Sequence, residues 1–376
     1  MDEDVLVIGA GPAGLCTAVA LGRRGLRATV LERGERVGQP WRERPDGLRL
    51  NSGRGVSALP GRRYPREVGT FPRRDDVVTY LEGYAAQCDV QTGVKVERID
   101  PADGLWMLQT TVGPLTARHV VVATGRFARP RLPTWPGRDS FAGRLHHAAD
   151  YRNPAPYNGR DVLVVGPGCS GIEIATELAR DRARTVRLAV RTPPNLMPRF
   201  FGALPGVTLL LRLPPAVGDA QIRLLQRLTV GDLSRYGLPR PAEGPLTLLR
   251  SRGAEPTAVD RHTLRAIRSG AIRVVPAVTG LDRDGAWLAD GAHVRVDDVI
   301  AATGFRPALD GLVGHLGVLD EAGLPLHADR LPQGLHFIGF DRIPGQLVFL
   351  PGQARRLVAR VGTSPRVLWG RTVPAA

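Results

Sequence analysis

The sequence predicts an α/β protein built from two Rossmann-like dinucleotide-binding domains, and three observations favour this fold. A glycine-rich turn at residues 9–14 stands between an apolar strand pattern and an alanine-rich helix pattern. A second turn of the same kind occupies residues 166–171. Two further apolar runs, VVVATG at 120–125 and VIAATG at 299–304, end in Thr-Gly. A strand, a glycine turn and a helix form the unit from which dinucleotide-binding sheets are assembled.

The first unit reads DVLVIGAGPAGLCTAVALGRRG and continues into a second strand pattern, RATVLE. Gly9 allows the tight turn, Gly11 lets the backbone approach a pyrophosphate, and Gly14 lets the helix pack on the strand. The helix N-terminus then presents unsatisfied N–H groups to the phosphates. Glu32 ends the second strand, where a carboxylate accepts hydrogen bonds from ribose hydroxyls. An ordinary βαβ turn is the alternative, which the order of strand, helix and terminal acid disfavours.

The second unit differs from the first at its end. It has glycines at Gly166, Gly168 and Gly171, a helix pattern to about Ala183 and a strand pattern to Val190. The next residue is Arg191, where the first unit has an acid. An acid would repel a 2′-phosphate, whereas a guanidinium pairs with it in a forked geometry. We therefore expect FAD at the first loop and NADPH at the second; a surface arginine is the alternative for Arg191.

These units divide the chain into three segments. We expect residues 1–155 to form the first part of an FAD-binding domain and residues 156–300 an inserted NADPH-binding domain. Residues 301–376 would then return to the FAD-binding domain. The duplicated nucleotide-binding unit is the internal repeat of this sequence.

The composition bears on the class of partner. The formal net charge is +15, and the cations are nearly all arginine, with Lys95 the one lysine. They are scattered and interleaved with acids, so the sequence predicts a solvated surface rather than a nucleic-acid-binding stripe. The cysteines Cys16, Cys88 and Cys169 are too far apart for a disulfide framework or a metal cluster. With no leader pattern and no long apolar run, we expect a cytoplasmic protein that makes no membrane contact.

The segment FAGRLHHAADY at 141–151 lies just before the second glycine turn. By itself it is compatible with a loop that carries a glycine turn and two aromatic anchors. Phe141, Gly143, His147 and Tyr151 match FxGxxxHxxxY, the identifying sequence of flavin-containing monooxygenases, which lies between the FAD and NADPH motifs of that family. Baeyer-Villiger relatives usually have Trp where this chain has Tyr151. The chain therefore resembles the flavin-containing monooxygenases.

The resemblance extends over nearly the whole chain and is closest to the YUCCA-type branch. The segments that carry it are Gly69–Ala85, Ala189–Arg199, Leu228–Leu249, Ala258–Val274 and Gly334–Gly345. It implies a class B monooxygenase that holds FAD, is reduced by NADPH and forms a C4a-(hydro)peroxyflavin. Molecular oxygen and a small molecule would be its substrates. The oligomeric state is left open.

The same resemblance implies site residues. Asn51, in LRLNSGR, matches an asparagine that helps hold the oxygen intermediate beside the flavin; a turn or helix cap is the alternative. The YUCCA branch commonly has His at this position. Trp41 matches a residue beside the flavin, with core packing as the alternative, and Ser170 matches a hydroxyl on the NADPH pyrophosphate. We assign further cofactor contacts to Pro12, Ala13, Arg33, Thr124, Gly125, Cys169, Thr303 and Gly304.

Other residues of the motif are interpreted structurally. We expect His147 to be buried and hydrogen-bonded to the backbone rather than to act as a general base. Phe141 and Tyr151 would anchor the segment by burial, and Gly143 would make its turn. Cys169 stands where the plant branch has Asn, and we interpret it as a small buried residue.

The expected reaction is oxygenation of an amine, hydroxylamine or sulfide, which Tyr151 and Asn51 favour. The alternative is carbonyl oxidation, either oxidative decarboxylation of a 2-oxo acid or a Baeyer-Villiger insertion, which the YUCCA-like chain favours. Arg54, Arg63 and Arg199 are candidates to bind a substrate carboxylate. An NADPH oxidase that releases hydrogen peroxide and a nucleotide-binding sensor are the other classes consistent with the fold.

Overall fold

The chain folds into two parallel sheets covered by helices. A computed structural model describes residues 3–181, 183–204, 209, 213–341 and 345–363. The strands are β1 Glu3–Ile8, β2 Ala28–Glu32, β3 Asp89–Thr92, β4 Val96–Ala102, β5 Leu105–Thr110, β6 Leu115–Val122, β7 Arg129–Pro130, β8 Arg144–His147, β9 Asp161–Val165, β10 Thr185–Ala189, β11 Leu196–Pro198, β12 Thr257–Val259, β13 Ile272–Val275, β14 Val278–Leu281, β15 Gly285–Leu288, β16 His293–Arg295, β17 Asp298–Ala301, β18 Phe305–Arg306 and β19 Leu335–Phe337. The α-helices are α1 Pro12–Gly22, α2 Gln39–Arg42, α3 Arg54–Ser57, α4 Arg74–Ala85, α5 Cys169–Arg180, α6 Pro215–Thr229, α7 Pro245–Arg252, α8 Arg261–Arg268, α9 Asp310–Val313 and α10 Gln346–Thr363.

The first sheet has the strand order β3-β2-β1-β6-β5-β4, and β19 also pairs with β6. Strands β1, β2, β3, β6 and β19 run parallel, whereas β4 and β5 are antiparallel additions. Ile8 is in register with Leu31 on one side and with Val122 on the other. The first glycine loop therefore leaves β1 between the carboxyl ends of two parallel strands, which is where α/β sheets bind ligands.

The second sheet repeats this arrangement with the order β13-β10-β9-β17-β8, and all its pairs are parallel. Val165, at the end of β9, is in register with Ala189 and with Ala301. The second glycine loop thus also leaves a central strand between two parallel neighbours. The predicted α/β fold with two Rossmann-like domains is confirmed.

Helix α1 is apolar on every side, because both of its faces are covered. It packs on the first sheet and against α10, where Leu15 and Leu350 share one core. Helix α5 is buried on one face only, and Ile172 and Leu178 pack on the second sheet. It ends at Arg180, earlier than the predicted Ala183.

The strand pairing shows where the chain passes between the sheets. Strand β8 lies within the predicted first segment, residues 1–155, yet it pairs with β17 in the second sheet. The chain therefore enters the second sheet before residue 155. Strands β7 and β18 then pair as antiparallel linkers, and β19 rejoins the first sheet. Residues 342–344 and 364–376 of the predicted C-terminal return lie outside the described residues.

Within the described ranges, no helix combines the length and the apolar character that crossing a bilayer requires.

Strand β8 is attached to its neighbour by a buried carboxylate. The Asp298 side chain is fully buried, and it accepts hydrogen bonds from Arg144 Nε at 2.5 Å and from the guanidinium of Arg160. We expect Asp298→Ala to lower the free energy of unfolding by ~2 kcal/mol, because it removes charge-assisted hydrogen bonds to Arg144 and Arg160 while both guanidinium groups stay partly exposed to water. Denaturant unfolding measures the change. Asp284→Ala, at an exposed acid of the β14–β15 turn, is the control, and an equal loss in both variants would contradict this account.

Candidate functional site

The first glycine loop is held against the neighbouring strand by direct backbone contact. Gly9 has a φ of +105°, and its N–H donates to Leu31 O at 2.8 Å. A Cβ at Gly9 would lie 2.9 Å from Ala123 O, and one at Gly14 would lie 1.9 Å from Gly9 O. A Cβ at Gly11 would meet nothing within 4 Å. Two glycines therefore close the loop onto the protein, while Gly11 leaves open space in front of the helix.

The second loop uses the same contacts at equivalent positions. Gly166 has a φ of +113°, and a Cβ there would lie 2.5 Å from Ala302 O. A Cβ at Gly171 would lie 1.9 Å from Gly166 O, whereas one at Gly168 would meet nothing within 4 Å. Both cradles thus leave room where a dinucleotide pyrophosphate approaches the backbone.

The helices that follow the loops have free N-termini. No side chain caps α1, which begins at Pro12, or α5, which begins at Cys169. Their first-turn N–H groups and the positive ends of their dipoles are therefore available to phosphates. Ala13 is buried in the first turn of α1, and Ser170 is exposed in that of α5. These positions fit the roles predicted for them.

The two Thr-Gly turns lie beside the loops, because Ala123 and Ala302 immediately precede them. Thr124 is exposed beside the first loop, and Gly125 has a φ of +77°. The Thr303 hydroxyl instead donates to Arg131 O, and Arg131 N donates to Gly304 O at 2.9 Å. The second turn is thus fixed to the linker that joins the sheets.

Glu32 is buried at the end of β2, where the sequence predicts an acid that binds ribose hydroxyls. Its carboxylate accepts N–H bonds from Ala10 and Gly34, each at 2.8 Å. Each carboxylate oxygen has a second lone pair, so both can still accept from ribose hydroxyls. Arg33 follows as an exposed side chain.

Arg191 stands exposed two residues after the end of β10. Within the part of the chain that the structure describes, no carboxylate lies within ion-pair distance of its guanidinium. An exposed guanidinium with no acidic partner at this end of the sheet fits a nucleotide 2′-phosphate. Its role stays a prediction.

His147 of the identifying segment fixes the end of β8 to the turn that follows β17. His147 is buried, its Nδ1 accepts the Ala149 N–H at 3.0 Å, and its Nε2 donates to Gly304 O at 3.0 Å. Burial lowers its pKa, which favours the neutral ring. Both ring nitrogens are occupied by backbone groups, so the structure offers His147 no free nitrogen for proton transfer.

The aromatic residues of this segment are anchored as expected, but its glycine has a different function. Tyr151 is fully buried and donates to Glu177 Oε2 at 2.9 Å, and Phe141 packs at the edge of the second core. Gly143 does not need a left-handed backbone; a Cβ there would lie 2.4 Å from the Phe141 ring and 2.5 Å from Asp297 O. Close approach, rather than a turn, explains this glycine.

Asn51 lies where the two domains meet. Gly53 N donates to Gly202 O at 3.0 Å, and a Cβ on Gly202 would lie 2.0 Å from Asn51 O. The Asn51 side chain is partly buried at this junction. Its Oδ1 atom is buried and has no protein partner. The neighbouring Ser52 is buried, and its hydroxyl bonds the Ser57 hydroxyl at 2.7 Å.

Glu173 was missed by sequence reasoning. Arg199 Nη2 donates to Glu173 Oε1 at 2.8 Å, and the Arg199 Nε is buried without a partner. Burial nonetheless raises the pKa of Glu173 to about 7, against the lowering effect of Arg199. The available signal was the spacing of Glu173 and Glu177, which places two acids on one face of the helix that follows a phosphate loop.

The remaining candidate residues of the site differ in burial and in hydrogen-bond partners. Trp41 is half-buried and packs on the first core. Cys169 Sγ accepts the Ala258 N–H at 3.4 Å, and burial raises its pKa to about 11, so it remains a thiol. Arg54 donates to the carbonyls of Arg66 and Val68.

Of the three arginines considered for a substrate carboxylate, Arg54 and Arg199 are thus already engaged. Arg63 is exposed.

Comparisons with known proteins identify the family of this chain. Residues 6–197 match the family model of pyridine nucleotide-disulphide oxidoreductases. The chain is 38% identical over 311 residues to indole-3-pyruvate monooxygenase YUCCA1 of Oryza sativa subsp. japonica, covering 80% of this chain and 76% of the relative. It is 33% identical over 359 residues to a probable indole-3-pyruvate monooxygenase, YUCCA3 of Arabidopsis thaliana, covering 90% and 82%.

A solved structure agrees over almost the entire chain. The flavin-containing monooxygenase from Stenotrophomonas maltophilia superposes with a TM-score of 0.75 at 27% identity, covering 96% of this chain and 99% of that one. Two cradles of this geometry in one chain define a flavoprotein that binds a second dinucleotide. The chain belongs to the class B flavin monooxygenases, near the YUCCA-type branch, and is an FAD- and NADPH-dependent monooxygenase.

Substitutions at two glycines of the second loop should distinguish an effect on folding from an effect on cofactor binding. Gly171→Ala places a Cβ 1.9 Å from a backbone oxygen, and we expect it to cost ~2 kcal/mol of stability or more. Gly168→Ala projects into open space, so stability should hold while the Kd for NADPH rises. Thermal unfolding and NADPH titration measure the two effects. Weakened folding in Gly168→Ala, with NADPH binding intact, would contradict the assignment.

Arg191→Ala tests the 2′-phosphate assignment. We expect the KM for NADPH to rise roughly tenfold or more and that for NADH to change little, since a charge-assisted hydrogen bond contributes about 1.5–3 kcal/mol. Steady-state kinetics with both nucleotides measure this difference. The control is Arg187→Ala, on strand β10 just before Arg191, whose guanidinium bonds Thr185 Oγ1 at 2.8 Å. Equal effects on NADPH and NADH would remove the assignment.

Proposed function

We propose that this monooxygenase oxidises the carbonyl carbon of an aromatic 2-oxo acid, releasing carbon dioxide and the acid shortened by one carbon. The observation that carries this proposal is the 38% identity with a relative named indole-3-pyruvate monooxygenase. One atom of O2 enters the new carboxylate and the other leaves as water, while NADPH supplies two electrons. This was the alternative, rather than the first choice, from the sequence.

The cofactors supply the oxidation chemistry, since bound FAD reduced by NADPH activates molecular oxygen. The protein binds and orients them. In this proposal the loop at Gly9 and Gly11, with Glu32, holds FAD, and the loop at Gly166 and Gly168 holds NADPH. The contacts of Asn51 and Gly53 with Gly202 would hold the FAD-binding and NADPH-binding domains together beside these loops.

Asn51 is proposed as the residue that helps hold the oxygen that will be transferred to the substrate. Its backbone packs against Gly202 of the second domain, and its side chain is partly buried there. Its Oδ1 atom is buried and unpartnered, which is costly unless a ligand completes the site. An amide at this position excludes water and offers hydrogen bonds without itself titrating.

Oxygenation of an amine, hydroxylamine or sulfide is the second candidate. It is favoured by Asn51, where the YUCCA branch commonly has His, and by Tyr151, which closes the identifying segment. The same protein could also release its activated oxygen as hydrogen peroxide, as an NADPH oxidase does. The fate of the oxygen atoms separates these possibilities.

The proposal is tested by supplying 18O2, NADPH and indole-3-pyruvate to the purified enzyme. We expect carbon dioxide in proportion to the NADPH consumed, and a shortened acid that carries one 18O atom. Mass spectrometry of the acid measures the label. A methyl sulfide and a tertiary amine, tested in parallel, are the controls.

A labelled sulfoxide or N-oxide, with no carbon dioxide from the 2-oxo acid, would support the second candidate instead. Complete conversion of NADPH equivalents into hydrogen peroxide with every compound would indicate an oxidase.

A further inference from the structure

We propose that the FAD-binding domain carries a second ligand site, a cavity between α1 and α10 that binds a medium-chain fatty carboxylate. The cavity has a volume of about 430 Å³, within the range of roughly 300–1,000 Å³ that small-molecule sites occupy. It lies beside the second half of α1, whereas the glycine loop precedes the first turn of that helix. None of the described residues that line it is among those assigned to FAD. The site is therefore separate from the proposed catalytic machinery.

The inner surface of the cavity is made of small apolar side chains. They come from both helices and are buried or half-buried: Cys16, Val19, Ala20, Pro351 and Ala354. Burial raises the pKa of the Cys16 thiol to about 12, so this surface carries no negative charge. No aromatic ring is among the described lining residues, so the cavity offers aliphatic surface and no ring on which a ligand ring stacks. An aliphatic chain fits these walls.

Three exposed arginines line the same cavity. Arg23 and Arg24 follow the end of α1, and Arg355 projects from α10. Two of the guanidinium groups are held in place by backbone carbonyls, since Arg23 Nη2 donates to Pro60 O and Arg355 Nε donates to Pro351 O, each at 3.3 Å. A guanidinium has five N–H donors, so these two keep most of theirs free.

The rim lacks a protein anion to accept those donors. Among the residues that the structure describes, no carboxylate lines the cavity, and none forms an ion pair with Arg23, Arg24 or Arg355. A ligand carboxylate accepts such N–H groups in pairs, with charge-assisted hydrogen bonds. An acyl chain attached to it covers the apolar surface and removes that surface from water. A neutral lipid would leave the arginines without an acceptor, and a cation would be repelled.

Isothermal titration of the FAD-bound enzyme with decanoate tests the site. We expect one saturable site per chain. Decanol keeps the chain but lacks the charge, so it should bind about tenfold more weakly or worse. An aromatic carboxylate, 3-phenylpropanoate, should also bind more weakly than decanoate, because the walls are aliphatic. Equal affinity for the aromatic acid would overturn the assignment to an acyl chain.

Three variants locate the bound decanoate. Ala20→Phe fills the cavity and should abolish binding, and Arg355→Gln should raise the Kd about tenfold. Arg356→Gln is the matched control, since Arg356 is the next exposed residue of α10 and does not line the cavity. It removes the same charge and should change the Kd by less than about twofold. Flavin absorbance and thermal unfolding without decanoate establish that each variant is folded and holds FAD.

The result is decisive in either direction. Undiminished binding in Ala20→Phe, or an equal loss in Arg355→Gln and Arg356→Gln, would overturn the proposal. Displacement of decanoate by indole-3-pyruvate would also overturn it, because decanoate would then occupy the substrate site. The titration needs neither NADPH nor turnover, so its outcome is independent of the oxygenation proposed above.

Discussion

Both cofactor cradles depend on one contact. A glycine packs directly on the carbonyl of the alanine that follows the adjacent strand, where no side chain would fit. Gly9 meets Ala123 in the first sheet, and Gly166 meets Ala302 in the second. Parallel strands bring these groups together because their carboxyl ends share an edge. The loop is thereby held at the strand end, and its next glycine is left facing open space. The position of each helix N-terminus, and hence of each phosphate site, follows from this packing.

A second set of contacts fixes the two cradles relative to each other. A Cβ on Gly47 would lie 1.7 Å from Glu177 Oε1, and Glu177 also accepts from the buried Tyr151 hydroxyl. Glu177 of α5 therefore serves the interface between the domains, whereas the N-terminus of the same helix is predicted to bind the nucleotide. The same kind of contact explains two residues of the identifying segment. Tyr151 and His147 each bond the linker to a different part of the second domain.

Local pattern was sufficient to predict the two dinucleotide-binding units and the acid Glu32 at the end of β2. Each of these depends on residues close in sequence or on a spacing that the βαβ unit dictates. Strand β8 was not foreseen, because it is only four residues long and partly buried, so no alternation stands out. The close packing of Gly202 on Asn51 was also beyond prediction, since it joins positions far apart in the chain through two separate folding units. Side-chain partners of arginines, such as Glu173 for Arg199, are similarly set by tertiary packing.

The position of Glu173 creates an electrostatic conflict that Arg199 partly resolves. A carboxylate near the N-terminus of α5 is favoured by the helix dipole, yet the same positive end is needed for the anionic phosphates of NADPH. Pairing with Arg199 offsets the negative charge, and half-burial pushes the carboxyl toward its neutral form. Both effects reduce repulsion of the nucleotide. An acid can then occupy the first turns of this helix, paired with Arg199, without opposing the anionic ligand predicted for the helix N-terminus.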